Sequence, residues 1–296
     1  ASSEELRKAV VDFKESKKFI IAYGETMDQK SYFVSTAADK VYCHPNGGLD
    51  WDGFSLTTLF MKGLLDKMGI EPQVFFAGKY KSATETFRVT KMTDANRVQT
   101  TDLLNDLYAG FLTETSNARH IDTATLHQLA NNGLIRTAYD AEKYKLEDGV
   151  KYDDEVKAEI LKKLEQKKTE TINYVSFSKY GKAVDFKKGG DDKIVIIYAQ
   201  GDIVGGKGSD DEIGSDNFVS IIRKARLDKD VKAIVFRVNS PGGSSLASDA
   251  IWREITLAKE DKPLVVSMGN YAASGGYYIS CKADSIFADA GTLTGS

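Results

Sequence analysis

Histidine and cysteine are scarce in this chain of 296 residues, which has three of the first and two of the second. His44, His120 and His127 are scattered, with no Cys, His or Asp beside them at metal-ligand spacing, so no metal site is expected. Cys43 and Cys281 stand in apolar, strand-like surroundings, where a cysteine is ordinarily a small buried hydrophobe; they fix no redox compartment. An excess of one charge is lacking as well. Forty basic residues face 43 acidic ones, for a net charge of −3, and this balance points to neither nucleic acid nor an anionic membrane surface as partner. No apolar run reaches about 18 residues and no signal-peptide pattern opens the chain at Ala1, so the expectation is a polypeptide that neither spans a membrane nor carries its own export signal. What remains is ordinary globular composition, 42% hydrophobic and 28% charged, with length enough for two domains.

The chain is organised around Lys262 to Cys281, K-P-L-V-V-S-M-G-N-Y-A-A-S-G-G-Y-Y-I-S-C. Leu264-Val265-Val266 reads as a buried strand, and Ala272-Ala273-Ser274-Gly275-Gly276 places one hydroxyl among residues small enough for a substrate to approach closely. By residue type alone Ser274 is either the N-cap of a helix or a nucleophile. The same order of helix, strand and glycine occurs near the start. Ser2 to Glu15 has helical spacing at Leu6, Ala9, Val10 and Phe13, and Phe19 to Gly24 is strand-like. Sliding one region on the other by 245 residues superposes Gly24 on Gly269, Lys17 on Lys262, Tyr32 on Tyr277, Ser35 on Ser280 and Ala38-Asp39 on Ala283-Asp284. So long a period means duplicated domains rather than a solenoid. In this register Ser274 falls on Gln29, so a nucleophile in the second copy has no counterpart in the first.

The expected division is a first, non-nucleophilic copy over 1–190, including a Lys/Glu-rich connecting helix over 157–168, and a second copy over 191–296. On the repeat register the first is expected to be truncated at its amino end and the second at its carboxyl end. Within the first copy, Val41-Tyr42-Cys43 is a strand followed by a Pro45-Asn46-Gly47-Gly48 turn. A helix over 56–68, a strand at Val74-Phe75-Phe76, a long helix from Thr93 or Asp94 and a shorter one over 122–130 follow. The second opens with a buried strand over 193–199 and a glycine- and aspartate-rich loop over 201–215. A helix over 216–227, a strand over 231–238 and the turn Asn239-Ser240-Pro241-Gly242-Gly243-Ser244 lead into a helix ending at Ala258. Alternating elements of these lengths predict an α/β fold with parallel-rich sheets flanked by helices. Sites in such folds lie at the carboxyl ends of strands, where both the Gly242-Gly243 and Ser274-Gly275 turns fall.

A serine attacks a carbonyl only if a base takes its proton and donors receive the developing oxyanion. Backbone N–H groups of Gly242 and Gly243, and of Ser274 or Gly275, are candidates for the second task. For the first, the histidines have no motif around them, so a Ser-His-Asp set lacks support. A lysine serves if burial lowers it from about 10.4 toward neutrality, a matter of about 4 kcal/mol. Lys79 and Lys81 follow an apolar run and lie among small and aromatic residues, and spacing does not choose between them.

Asn239 to Ser244 (N-S-P-G-G-S), Ser267 to Ser280 (S-M-G-N-Y-A-A-S-G-G-Y-Y-I-S), Thr292 to Ser296 (T-L-T-G-S) and Gly78 to Ala83 (G-K-Y-K-S-A) together resemble the signal peptide peptidase A family in its long, tandem-domain form. The resemblance covers essentially the whole chain. It implies tandem Clp-protease/crotonase-like domains and a serine endopeptidase with a Ser/Lys dyad that degrades remnant signal peptides and other extended peptides at the membrane. It further implies that Ser274 is the nucleophile, Lys81 the general base and Ser296 a serine orienting that lysine, with Gly242, Gly243 and Gly275 in the substrate and oxyanion loop and no cofactor. A homo-oligomer, and attachment to the bacterial inner membrane with the catalytic part periplasmic, through a segment absent from this chain, also follow from the resemblance. One departure is Thr84-Glu85-Thr86-Phe87, where the family often has a proline before the phenylalanine. Two other readings stand beside this one: a crotonase-like acyl-CoA enzyme, which also holds an oxyanion with paired backbone N–H groups, and a non-catalytic membrane-associated scaffold derived from the protease.

Overall fold

The computed structural model describes residues 2–167, 171–183 and 190–295. Two compact units divide the chain, one formed by Glu5–Ile172, the other by Asn173–Ser296 with Ala1–Glu4. Both are α/β with parallel strand pairing, as the alternation of periods predicts.

The Glu5–Ile172 unit contains most of helix α1 (Ser2–Lys14), then β1 (Ile21–Met27), α2 (Gln29–Ser35) and β2 (Lys40–Leu49). Short helices α3 (Lys62–Lys67) and α4 (Glu85–Arg88) precede the long α5 (Asp94–Arg119). It ends with α6 (Thr123–Asn131), α7 (Ala138–Lys143), β3 (Gly149–Val150) and α8 (Asp153–Lys163). The strands form one sheet in the order β1-β2-β3. Tyr32, Val41, Trp51, Phe111, Leu126 and Leu146 fill its core, and the polar ends of its aromatics are spoken for: Tyr32 donates to the Leu146 carbonyl at 2.5 Å and Trp51 Nε1 to that of Leu126 at 3.0 Å. Such partners are what burial of Tyr and Trp requires. Thr93 and Asp122 cap α5 and α6 through their side chains, as the start signals in the sequence predict.

Three expectations need correction here. Pro45 to Gly48 do not end a strand; β2 runs through them to Leu49. The partner register jumps from Gly24↔Cys43 to Thr26↔Gly48, so residues 44–47 bulge opposite Glu25. The bulge brings backbones so close that a Cβ on Gly47 would lie 1.5 Å from the Glu25 carbonyl oxygen. The helix expected over 56–68 shortens to α3. Val74 to Phe76 form no strand; Phe75 is 91% exposed, and an apolar tripeptide is a strand only where a sheet edge receives it.

The second unit contains α9 (Phe177–Ala183), β4 (Lys193–Gln200), β5 (Asp202–Val204), β6 (Glu212–Gly214), α10 (Ser215–Leu227), β7 (Val231–Ser240), α11 (Ser245–Asp261), β8 (Leu264–Ala273), α12 (Gly275–Tyr278), β9 (Ser285–Phe287) and β10 (Leu293–Gly295). Its main sheet is parallel in the order β10-β8-β7-β4, with β9 beside the start of β8 and β10 beside its end. Ile222, Phe236, Ile251, Ile255, Leu264 and Val266 pack in one core. There Glu254 is buried and ion-paired to Arg223 and Arg226 at 2.9 and 3.1 Å, which joins α10 to α11. β4 is buried on one face only: Ile197 and Ala199 point inward, whereas Ile194, Ile196 and Tyr198 are exposed. The stretch over 201–215, expected to be a loop, contains the β5–β6 pair.

Several interactions recur at the 245-residue offset. Lys14 pairs with Asp39 at 3.3 Å, and Lys259 with Asp284 at 3.3 Å. Asp39 accepts from the Ile20 N–H and Asp284 from the Leu264 N–H, each at 2.8 Å, the donors lying 244 residues apart and so one residue off that offset. That hydrogen bond, then the lysine, holds both carboxyls below the ordinary aspartate range. Ser35 donates to the Ser31 carbonyl as Ser280 does to that of Gly276. The strand-to-helix junction departs from the gapless register by one residue, because the single junction residue is Asp28 in one unit and Ser274 in the other.

Candidate active site

β8 ends at Ala273 and α12 begins at Gly275, so Ser274 alone turns the chain. It does so at φ 50°, ψ −119°, a conformation that costs a non-glycine residue about 1–3 kcal/mol. Its backbone is fully engaged: the N–H donates to the Gly295 carbonyl at 2.6 Å, and the carbonyl accepts from the Tyr278 N–H at 3.0 Å. Its hydroxyl caps nothing, and the residue is exposed. The N-cap reading is thereby set aside, since a capping serine spends its oxygen on the N2 or N3 amide.

Around that turn there is no room for side chains. A Cβ on Gly242, whose φ is 108°, would lie 2.7 Å from the Gly275 nitrogen and 2.8 Å from the Ser274 Cβ. One on Gly276 would meet the Ser240 carbonyl oxygen at 2.5 Å. The turns following β7 and β8 are therefore pressed backbone to backbone. Ile203 in β5 locks the first of them, donating its N–H to the Gly242 carbonyl at 2.8 Å and accepting at 2.8 Å from the Ser244 N–H. Ser244 caps α11 through its side chain.

The two glycines of the first turn differ in what they offer. Gly242 N–H is donated to Ser240 Oγ at 3.1 Å, while Gly243 N–H donates to no described residue. Gly275 N–H, the first of α12, is likewise unused among the described residues, as helix geometry dictates for an N-terminal amide. Unspent amides flanking an unspent hydroxyl can receive negative charge on an oxygen bonded to that hydroxyl's carbon partner. A cleft of about 640 Å³ opens here, with Gly243, Ser248, Ser274, Gly275, Tyr277 and Gly295 in its wall. Sequence reasoning passed over Ser240, Ser248 and Asp249, whose signal is positional: they fall before the Gly-Gly turn and one helical turn after it.

Of the residues expected to act together, the structure gathers Ser274, Gly275, Gly242 and Gly243 in one unit. Lys81 lies in the other, on the loop before α4; it is half-buried and makes no hydrogen bond or ion pair with a described residue. Lys79 is exposed, its ammonium 5.6 Å from the Tyr80 ring centroid. Ser296 lies outside the described residues. The lysine loop is anchored by Glu85, which is 2% exposed. Its carboxylate accepts from Thr93 Oγ1 at 2.5 Å, Thr93 N–H at 3.2 Å and Asn96 Nδ2 at 2.9 Å. Burial opposes its charge, but these hydrogen bonds outweigh it and hold the carboxyl below its ordinary value. Cys281, expected to be buried, is exposed in the turn after α12 and lines the cleft; Cys43 is buried, and desolvation pushes its thiol up to about 11.

Both units are of the parallel α/β class, and one of them presents an exposed serine on a strained strand-to-helix turn beside glycine amides. Residues 12–167 and 256–296 match the family model Peptidase family S49, and the chain belongs to that family. The second matched stretch begins 244 residues after the first (256 − 12 = 244), one residue from the repeat offset. The chain is 39% identical to Protease 4 of Salmonella typhi over 98% of its own length and 48% of that protein's. It is 36% identical to the chloroplastic serine protease SPPA of Arabidopsis thaliana over 99% and 44%, and 33% identical to Protease 4 of Haemophilus influenzae over 97% and 49%. The chain thus spans about half the length of these curated relatives. Among the described residues no helix is long and apolar enough to cross a membrane.

Proposed function

We propose that this chain is the part of a serine endopeptidase that supplies both members of a Ser/Lys dyad. Ser274 Oγ attacks the carbonyl carbon of an extended peptide, and the neutral Lys81 amine takes the hydroxyl proton. The oxyanion rests on the N–H groups of Gly243 and Gly275. The C–N bond breaks as Lys81 returns the proton to the leaving amine, and water, activated by the same amine, then hydrolyses the acyl-serine. Gly242 contributes close packing rather than its N–H, and Ser296 orients Lys81. The observation that carries this reading is the Ser274 turn: a strained residue whose backbone is satisfied and whose hydroxyl is held free beside two unspent amides. Membership of a peptidase family, and the protease names of relatives matched along nearly all of this chain, support it. The motif resemblance extends the proposal to a homo-oligomer at the bacterial inner membrane, acting on the periplasmic side on remnant signal peptides.

Ser274→Ala and Lys81→Ala are each expected to abolish peptide hydrolysis, with Lys79→Ala retaining it. A fluorophosphonate should label Ser274 in folded protein and not after heat denaturation. Turnover surviving in Ser274→Ala would end the proposal, and loss in Lys79→Ala but not Lys81→Ala would move the base.

A further inference from the structure

Among the described residues the Ser274 cleft has one charged residue in its wall. Asp249 stands there among Leu246, Tyr277, Tyr278 and Cys281, on the first turns of α11, four residues after Ser245. Tyr278 donates its hydroxyl to Asp249 Oδ1 at 2.8 Å and is itself flanked by Trp252, with ring centroids 5.9 Å apart. A carboxylate accepts about four hydrogen bonds, and Oδ2 has no partner among the described residues. Tyr278 lies one helical turn beyond Ser274, bonded to its carbonyl, a rise of about 5.4 Å. Asp249 lies one turn into α11, four residues after its first residue, Ser245. The carboxylate thus lines the same cleft as the Ser274 hydroxyl and the Gly243 and Gly275 residues beside it, where the four-carbon side chain of a lysine can carry its charge to a polar partner. Leu246 and Tyr277 are exposed and apolar, the kind of surface along which the methylenes of a lysine or arginine lie while the charged head reaches a polar end.

Resting on the reading of Ser274 as the nucleophile, we propose that Asp249, held by Tyr278, is a specificity-determining residue that selects a basic side chain on the residue whose carbonyl Ser274 attacks. Its ligand chemistry is a lysine or arginine within an extended peptide. An acidic side chain at that position is repelled, and an aliphatic one is accepted without the charge-assisted hydrogen bond.

The test separates binding from chemistry. In the Ser274→Ala protein, affinity is measured for peptides that differ only in lysine, norleucine or glutamate at that residue. Lysine should bind at least about tenfold tighter than norleucine, as hydrogen bonds to charged groups allow. Adding Asp249→Asn should bring the ratio close to one, and Asp249→Lys should turn the preference toward glutamate. A lysine-to-norleucine ratio near one with Asp249 present, a ratio that survives Asp249→Asn, or no binding of any peptide overturns the proposal. Cleavage by the protein with Ser274 intact is read separately. Preference in binding without turnover leaves the subsite standing and removes the peptidase; turnover without preference does the reverse.

Discussion

Replacing Gly242 with alanine probes the idea that the two turns are pressed together so that amides and hydroxyl converge. At φ 108° an L-residue is strained by about 1–3 kcal/mol. The new methyl carbon would also stand 2.7 Å from the Gly275 nitrogen, 2.8 Å from the Ser274 Cβ and 3.0 Å from the Ala273 carbonyl oxygen. All three neighbours are backbone or backbone-proximal, so no flexible side chain can step aside, and relief requires the β8–α12 turn to retreat by roughly half an ångström or more. Overpacking adds about 1–3 kcal/mol, for an expected loss of about 2–6 kcal/mol in this unit's stability. A retreat of that size takes the Gly275 amide and the Ser274 hydroxyl out of register, and a 1 Å misplacement costs about a hundredfold in rate. The assay is the second-order rate of fluorophosphonate labelling, read beside the urea midpoint of the same preparation. Gly205→Ala is the control, since nothing lies within 4 Å of a Cβ there. Labelling at the unaltered rate with an unaltered midpoint in Gly242→Ala would refute the packing argument.

Three further outcomes are expected. Glu85→Ala leaves the Thr93 and Asn96 donors unpaired and should lower stability by about 3 kcal/mol, with faster hydrogen exchange over 79–88. The carboxyl is held below its ordinary value, so its stabilisation is present above the unfolded pKa and disappears as pH falls through the folded one; exchange that does not change excludes the anchoring role. Glu147 is 3% exposed and neither of its oxygens has a hydrogen-bond partner among the described residues; burial pushes it up to about 7 from 4.5. Because the folded state holds the proton more tightly, stability falls as pH rises from about 4.5 to 7, and Glu147→Gln should gain up to about 3 kcal/mol at pH 8 and little at pH 4. A gain independent of pH counts against it. Finally, Ellman's reagent should titrate one thiol, Cys281, in folded protein and two in urea; rapid native reaction of both would contradict the burial of Cys43.

Much of this was legible in the sequence because local chemistry and tertiary context agree. The start of α5 at Thr93 or Asp94, the short helix from Asp122 and the buried strand beginning at Leu264 follow from period and residue type alone. The 245-residue register was read from Asp39 and Asp284 among other positions, whereas the Lys14–Asp39 and Lys259–Asp284 pairs that fall on it were not. The misses fall where distant partners decide. Nothing in Pro45-Asn46-Gly47-Gly48 reveals that a strand resumes after a bulge opposite Glu25, and Val74-Phe75-Phe76 needs a sheet edge that no local pattern supplies. At the site, Ser274 and the glycines stood out by their small neighbours. The prior commitment of Gly242 N–H to Ser240, the Asp249–Tyr278 pair and the exposure of Cys281 depend on how β7, α11 and α12 meet, which spacing does not encode.

The comparison of Asp28 with Ser274 bears on where the tension in this fold comes from. Both close a junction one residue long between a parallel strand and a helix, yet Asp28 does so at φ −73° with its carboxylate capping the helix. The architecture can therefore be closed in a relaxed way, and the contorted serine is an addition to the framework rather than a demand of it. A protein that keeps such a kink in one half and has an easy bend in the other carries its instability at the one place where an unencumbered oxygen is useful, and Ser274→Gly should make that half sturdier while silencing it.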